Sequence, residues 1–370
     1  MSKEAVANLN KEPFAHISKR DDISFWKAWV IRLVAVLISL VVCAVVIFAL
    51  TKLNPMEVYK AIFSGAVGTA RRSWVTVRDS LVLLCIAIGI TPAFKMRFWN
   101  IGAEGQVLIG GVATAAVMIY AGGSMPTGML FFVMIAASIA AGVIWGLIPA
   151  VFKAFWNTNE TLFTLMLNYV AMQIVTFCIV FWENPSGSNT VGTINSSTKA
   201  GWLPSLFGLT YGWNVVLVLV MTVGMYIYLK YSKQGYEISV VGESENTARY
   251  VGISVKRVIM RTMAISGGIC GLAGFLLVSG SGHTISTSTA GGRGFTAIIV
   301  AWLSKFNAFA MILVSFFLVF MQKGAMQIAS QFKLNENASD VITGIILFFI
   351  LGSEFFINYK VEFRSRRKEG

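Results

Sequence analysis

The residues best suited to chemistry lie at 98–106, FWNIGAEGQ, between two apolar runs of membrane length. A carboxylate and two amides at the mouth of an apolar helix are costly in lipid. Such groups persist where they face protein or a water-filled path. This segment therefore indicates that something polar crosses a membrane here.

The composition predicts a chain that is surrounded by lipid. Of its 370 residues 56% are hydrophobic and 13% are charged, and the mean hydropathy is +0.71. A soluble domain of this size would need a more polar surface. The formal net charge is +13. Because the Lys and Arg residues flank apolar runs, this charge favours anionic headgroups over nucleic acid as its partner.

No pattern typical of catalysis or of a metal site is present in the sequence. It has no paired acids, no nucleophile with a base and no P-loop, so we expect no enzyme activity and no ATP hydrolysis by this chain. No cofactor is expected either. The cysteines lie in apolar runs without a CxxC pair, and the two histidines are isolated: Cys43, Cys85, Cys178, Cys270, His16 and His283. They predict no metal cluster.

Ten apolar runs predict an all-α integral membrane protein, since each approaches the roughly 20 residues that cross a bilayer. The runs are roughly 29–51, 79–94, 104–121, 128–153, 161–182, 213–230, 258–279, 294–304, 308–328 and 340–358. We predict a transmembrane domain at 28–358 between cytoplasmic tails at 1–27 and 359–370. Within it, 183–212 is predicted to be an external loop and 232–257 a cytoplasmic one.

The basic residues beside the spans predict the orientation, because cytoplasmic loops are rich in Lys and Arg. Most fall on one side, which places both termini in the cytoplasm: Lys95, Arg97, Lys153, Lys230, Lys233, Lys256, Arg257, Arg261, Lys305, Arg364, Arg366, Arg367 and Lys368. Three arginines disagree and fall outside: Arg71, Arg72 and Arg78.

Glycine-rich interruptions open two of the predicted spans, at 102–105 and 291–295. Each interruption lies one span into a run of four spans, 2–5 and 7–10. Broken segments at matching positions of two halves are typical of transport sites. Other small residues, such as Gly267, Gly271 and Gly274, predict close helix packing rather than a site.

A short capped helix is predicted in the 232–257 loop. Ser244 can cap it, Glu245 can pair with Arg249 four residues later, and Gly252 suits the left-handed position at a helix end. So short a helix needs a partner surface, and Ala248, Tyr250 and Val251 offer contact area. The alternative is an ordinary loop with one helical turn.

Three segments of the chain carry a resemblance to a known family. Residues 100–106, NIGAEGQ, resemble the signature of permease subunits of bacterial ABC importers, in the branch shared by branched-chain amino acid, ribose-type sugar and nucleoside systems. Residues 242–253 resemble its coupling loop, and 164–169, TLMLNY, its fifth-span motif. The resemblance runs from about residue 55 to about residue 355.

The resemblance implies a bundle with two inverted halves in the bacterial inner membrane. The implied partners are separate ATP-binding subunits, a substrate-binding lipoprotein or periplasmic protein, and a second permease subunit. The permease pair is a heterodimer or a homodimer, and in the nucleoside branch a second, shorter permease usually completes it. The ATPase would dock on the coupling loop, at Gly242, Glu243, Ser244, Asn246, Ala248, Arg249, Tyr250 and Gly252.

The expected solute is small and polar. The NIGAEGQ form resembles the nucleoside branch most, with a simple sugar or a vitamin as alternatives. The predicted pathway residues are Asn100, Glu104, Gln106, Asn168 and Phe295. Their amides can pair with base or ribose edges and the ring can stack on a base. Two structural alternatives stay open: Glu104 could accept backbone N–H groups at the start of span three, and Asn168 could join two helices.

A secondary transporter or channel, working without an ATPase, is the alternative of a different class. Such proteins often carry charged residues in the middle of a span for ion coupling. The predicted spans contain Glu104 near an end and no other candidate, so this alternative is disfavoured.

Overall fold

The computed structural model describes residues 15–19, 24–52, 54–206 and 208–333, with short stretches between 341 and 363. Contacts divide the chain into two compact units, one of residues 1–68 and 321–370 and the other of residues 69–320. The described residues are mostly helical, as expected.

The described elements of the first unit include β1 (Ala15–Lys19), α1 (Phe25–Thr51), α2 (Pro55–Val67) and β2 (Tyr359–Phe363). From residue 321 onward, the end of the helix Ala308–Gln331 also belongs to this unit. The β1 strand pairs antiparallel with β2, a small departure from the all-α prediction. Helix α2 starts with Pro55, and the Asn54 side chain accepts a hydrogen bond from Met56 N, both usual at a helix N-terminus.

The second unit holds most of the bundle. Its helices are α3 (Ala70–Lys95), α4 (Ala103–Ala121), α5 (Thr127–Trp156), α6 (Glu160–Trp182), α7 (Gly212–Tyr231), α8 (Lys233–Glu243), α9 (Glu245–Tyr250), α10 (Val255–Leu277), α11 (Arg293–Leu303) and the first part of α12 (Ala308–Gln331). A π-helical turn, Val278–Gly282, extends α10.

Seven described helices are long and apolar enough to cross a membrane: α3, α4, α5, α6, α7, α10 with its π turn, and α12. Each matches a predicted span. The predicted eighth span is α11, a shorter apolar helix, and the predicted first lies within α1, whose apolar stretch at Leu33–Val46 is also short. The predicted tenth span, 340–358, falls mainly outside the described residues. The count of ten therefore stays a prediction.

Glycines allow α10 to pack at the centre of the second unit. A Cβ on Gly267 would lie 2.3 Å from Gly142 O, and one on Gly271 would lie 2.2 Å from Ser138 O, both in α5. On the α4 side, a Cβ on Gly274 would lie 2.3 Å from Val107 O. The expectation that these small residues serve close helix packing is confirmed.

Candidate functional site

The loop between α3 and α4 leads back into the bundle. Helix α3 ends at Lys95, and Arg97 takes a left-handed conformation, with φ of 62°. Phe98 and Asn100 are then buried. Helix α4 therefore starts among other helices, where its first N–H groups need protein partners.

Two buried amides bond to each other at this start. Asn100 Nδ2 donates to Gln106 Oε1 at 3.3 Å, and Gln106 Nε2 donates to Asn100 Oδ1 at 3.2 Å. Asn100 Nδ2 also donates to Ser266 Oγ of α10 at 3.1 Å. Gly102 N donates to Asn100 Oδ1 at 3.2 Å. These bonds stabilise the loop against α10, since buried polar groups without partners are costly.

Helix α6 holds the same loop from the other side. Asn168 Oδ1 accepts from Gly105 N at 2.8 Å, and Asn168 Nδ2 donates to Ile101 O at 3.0 Å. Thr164 Oγ1 accepts from Ile101 N at 3.2 Å. Asn168 thus joins two helices, as one of the two alternatives from the sequence expected.

Glu104 joins the two interrupted segments. Its Oε1 accepts from Gly292 N and its Oε2 from Gly294 N, each at 2.7 Å. The side chain is buried, with 3% exposed. A Cβ on Gly294 would lie 2.4 Å from Glu104 N, so only glycine allows this approach. The carboxylate therefore caps the start of α11 and not that of α4, where the structural alternative from the sequence had placed its partners.

The glycine-rich openings of α4 and α11 are therefore in direct contact. We call this contact the junction and define it by Asn100, Glu104, Gln106, Asn168 and Gly294. Four of the five predicted pathway residues belong to it, and all four are buried. The fifth, Phe295, is 41% exposed beside it. Whether these residues line a solute path stays a prediction.

A charged cluster near the start of α11 was not predicted from the sequence. Arg78 Nη2 lies 2.8 Å from Asp79 Oδ1, and Arg293 Nη2 lies 3.9 Å from Asp79 Oδ2. Arg78 also donates to the Tyr211 hydroxyl at 3.2 Å. Asp79 is a second buried carboxylate within a membrane-length helix, so the expectation that the spans hold no candidate besides Glu104 is wrong.

The start of α3 explains the error. The sequence placed the second span at 79–94, whereas α3 begins at Ala70. The Thr69 side chain caps it by accepting from Arg72 N at 3.2 Å. A Thr followed by a polar helical turn is a usual start signal, and would have put Asp79 inside the helix.

The 183–212 loop packs onto the end of α10 instead of being only a solvated connection. The Trp202 ring stacks on the His283 ring with centroids 3.8 Å apart. Ile194 N donates to His283 O at 2.8 Å, and Leu203 N to Ser279 O at 3.1 Å. Burial of the imidazole and, second, the nearby Arg78 charge lower the pKa of His283 below its ordinary value. The ring is therefore held neutral over a wider range of pH.

The predicted capped helix is confirmed as α9, which precedes the start of α10. Ser244 Oγ accepts from Thr247 N at 3.2 Å. Arg249 Nη2 lies 3.3 Å from Glu245 Oε2. Gly252 has φ of 81°. An additional helix, α8, precedes it and was not predicted.

Helix α9 presents a different face from the one expected. Ala248 is buried, while Tyr250 is 91% exposed. Gly242 is also buried. It packs closely against the end of α3, since a Cβ there would lie 2.2 Å from Lys95 O. Ala248, which was predicted to contact a partner, therefore packs inside this chain. The other predicted docking residues Glu243, Asn246 and Arg249 are exposed, as is Val251.

Ala248 packs into a set of buried apolar residues that we call the basal cluster: Ala93, Met96, Phe98, Ala150, Ile238, Val241, Ala248, Val255, Val258, Ile259 and Met263. The cluster joins the ends of α3 and α5 to α8, α9 and the start of α10. Phe98 belongs to the loop that carries Asn100. The basal cluster thus forms a packed connection between α9 and the junction.

Comparison with known proteins identifies relatives along most of the chain. The sequence model of the family described as "Branched-chain amino acid transport system / permease component" matches residues 75–351. No solved structure matches significantly.

Three relatives align over long stretches. The glucose ABC transporter permease protein TsgB13 of Haloferax volcanii is 26% identical, with 93% of both chains covered. The guanosine ABC transporter permease protein NupP of Bacillus subtilis is 27% identical, over 80% of this chain and 85% of its own. The nucleoside ABC transporter permease protein NupB of Lactococcus lactis is 26% identical, over 86% and 90%.

Proposed function

Since this chain belongs to the permease-component family of branched-chain amino acid transport systems, we propose that it forms the membrane path of an ATP-driven nucleoside importer. Two of the relatives above are named for guanosine or nucleosides, which supports this solute. A simple sugar is the second candidate, because TsgB13 is named for glucose.

The contact of two interrupted helices at Glu104 is the observation that carries the proposal. Both Glu104 oxygens accept backbone N–H groups of the segment that opens α11. Interrupted helices that meet inside a bundle are a usual construction of transporter sites. They are tolerated in a membrane only where they are buried in protein or line a water-filled cavity.

We propose that the junction residues hold the helices in place. The solute is contacted by residues on the surface beside the junction. The amides of Asn100, Gln106 and Asn168 are buried and bonded within the protein. Phe295 follows Gly294 directly and is exposed enough to stack on a base. The path for the solute then passes the start of α11.

Energy enters from a separate ATPase subunit at the exposed face of α9. Tyr250 and Arg249 offer an aromatic and a charged contact there, and Ala248 anchors the helix in the basal cluster. Movement of α9 would shift Phe98 and hence the junction, because close-packed interiors transmit displacement. In this proposal the chain lies in a bacterial inner membrane, and the end of the bundle that carries α9 faces the cytoplasm. A substrate-binding lipoprotein and a second permease complete the importer.

We expect saturable nucleoside uptake in cells that lack their own nucleoside transporters. The permease would be expressed with the ATPase, receptor and second permease of its own system, and radiolabelled guanosine supplied outside. Unlabelled nucleosides should compete, whereas ribose and glucose should not. Competition by sugars alone would favour the second candidate. Uptake that persists with an ATPase lacking its P-loop lysine would instead favour a secondary transporter.

We expect the Tyr250→Ala variant to bind the ATPase subunit about thirtyfold more weakly, the loss typical of an aromatic hot spot. Uptake should fall with it. Thermal stability should stay unchanged, because the ring is 91% exposed and packs little within the permease. Pull-down of the ATPase and melting of the purified permease measure the two effects.

The Tyr236→Ala variant is the matched control, since Tyr236 is also exposed but lies on α8. It should bind the ATPase normally. Equal losses in both variants would contradict docking centred on α9, and so would normal binding by Tyr250→Ala.

A further inference from the structure

A cavity with three lysines in its lining lies away from the junction. It has a volume of about 340 Å³ and lies where α3 and α7 end and α12 begins. Three lysines line it, one from each region: Lys95, Lys230 and Lys305. The Lys95 carbonyl faces Gly242, so the cavity lies at the same end of the bundle as α9.

The residues that line the cavity, among those that the structure describes, carry positive charge and no negative charge, since they include no Asp or Glu. Among the described residues neither Lys95 nor Lys230 forms an ion pair. The Lys230 amine donates to the Tyr226 hydroxyl at 3.0 Å, which leaves it further donors. Three ammonium groups around one cavity favour an anion.

Exposed apolar surface continues from this cavity along two helices. The Tyr226 ring of α7 and the Phe309 ring of α12 have centroids 4.9 Å apart. Ile227 of α7 and Leu313 of α12 are also exposed, on helices that are long and apolar enough to cross a membrane. A basic cavity at the end of two helices complements the phosphate of a phospholipid, and the apolar face beyond it complements the acyl chains.

We propose that this cavity binds the phosphate of an anionic phospholipid, whose acyl chains lie along the exposed faces of α7 and α12. Basic pockets between membrane helices bind such headgroups, and each lysine near an anionic headgroup contributes a favourable increment. Asn307 also lines the cavity; its side-chain oxygen accepts from Phe309 N at 3.0 Å, so its NH₂ group is the part that can donate to an anion. The positive charge that favours an anion comes from the lysines.

The test is to remove the three charges with Lys95→Gln, Lys230→Gln and Lys305→Gln together in the full-length permease. Purified protein is titrated with phosphatidylglycerol against phosphatidylcholine, and bound lipid is counted by native mass spectrometry. The preference for phosphatidylglycerol should fall roughly fivefold per lysine, or about a hundredfold in all. An unchanged preference would overturn the proposal.

The Lys256→Gln variant is the matched control. Lys256 lies at the same end of the bundle, at the start of α10, but stacks over the Phe155 ring at 4.7 Å and not in the cavity. This variant should keep the wild-type preference. If it loses as much as the triple variant, the preference reflects overall charge and no specific site exists. Should the triple variant fail to fold, Lys230→Gln alone must still lower the preference about fivefold.

Two competitors distinguish the possible occupants. Inorganic phosphate and glycerol phosphate supply the same anion without acyl chains, and they should not displace the lipid at millimolar concentration. Displacement would identify a site for free phosphate and overturn the lipid assignment. Lipid that is lost when the second permease assembles would show that a protein covers this face, which also overturns it.

Discussion

Replacement of Glu104 by alanine should abolish uptake and lower the free energy of unfolding by roughly 3–5 kcal/mol. The carboxylate accepts from Gly292 N and Gly294 N at 2.7 Å and is buried. Its loss leaves two backbone donors without their partner, of which Gly294 N is buried and Gly292 N is half-buried. It also releases the start of α11 from α4, so the junction should open.

The Glu104→Gln variant separates charge from shape. The amide keeps one carbonyl oxygen for one N–H group, but presents its own NH₂ to the other. We expect about half of the stability loss, roughly 2 kcal/mol, and strongly reduced uptake. Thermal melting of the purified protein and uptake in cells measure the two effects.

Glu183 provides a control with the same bonds in a different environment. Its carboxylate also accepts two backbone N–H groups, from Gly187 at 2.8 Å and Asn189 at 3.3 Å, but these bonds are exposed. Water can replace them, so Glu183→Ala should cost at most about 1 kcal/mol. If both alanine variants lost equal stability, burial would not be the cause and our account of the junction would be wrong.

The second large effect is expected for Gly271→Ala, which should destabilise the protein by about 3 kcal/mol or prevent its folding. A Cβ on Gly271 would lie 2.2 Å from Ser138 O and 3.1 Å from Gly142 Cα. Both are backbone atoms of α5, so no side chain can rotate away. Helices α5 and α10 would have to separate along their whole contact.

Gly224→Ala is the control, and we expect it to change the stability in the opposite direction. Gly224 lies in the membrane-length helix α7, and nothing lies within 4 Å of the position of a Cβ. There the substitution should raise stability by up to about 1 kcal/mol, since alanine favours helices more than glycine. Melting temperatures of the two variants should therefore move in opposite directions. A stable Gly271→Ala protein would disprove the close contact of these helices.

Local signals in the sequence were sufficient for the long apolar helices and for α9, but not for α8 or for the start of α3. Apolar length predicted the seven helices that could cross a membrane. The spacing of Ser244, Glu245, Arg249 and Gly252 predicted α9, because capping and i,i+4 pairing act within one turn. The same reasoning failed at Asp79, where the apolar run was taken as the whole helix and the capped polar turn before it was left out.

The direction of side chains on short helices could not be predicted in the same way. Ala248 was expected on the docking face and is buried in the basal cluster, while Tyr250 is exposed. A helix as short as α9 has too few turns for its apolar period to specify a face. The surrounding helices α3, α5 and α10 decide which side is covered.

The sequence by itself determined a lipid-solvated helical bundle with two glycine-rich interruptions, because length, polarity and capping are properties of neighbouring residues. Only the tertiary structure decided that Glu104 caps the opening of α11, and that Lys95, Lys230 and Lys305 share a cavity. These groups are far apart along the chain, and no local period encodes their meeting. Their partners follow from the packing of whole helices, which glycine contacts such as Gly271 on Ser138 bring to backbone distance.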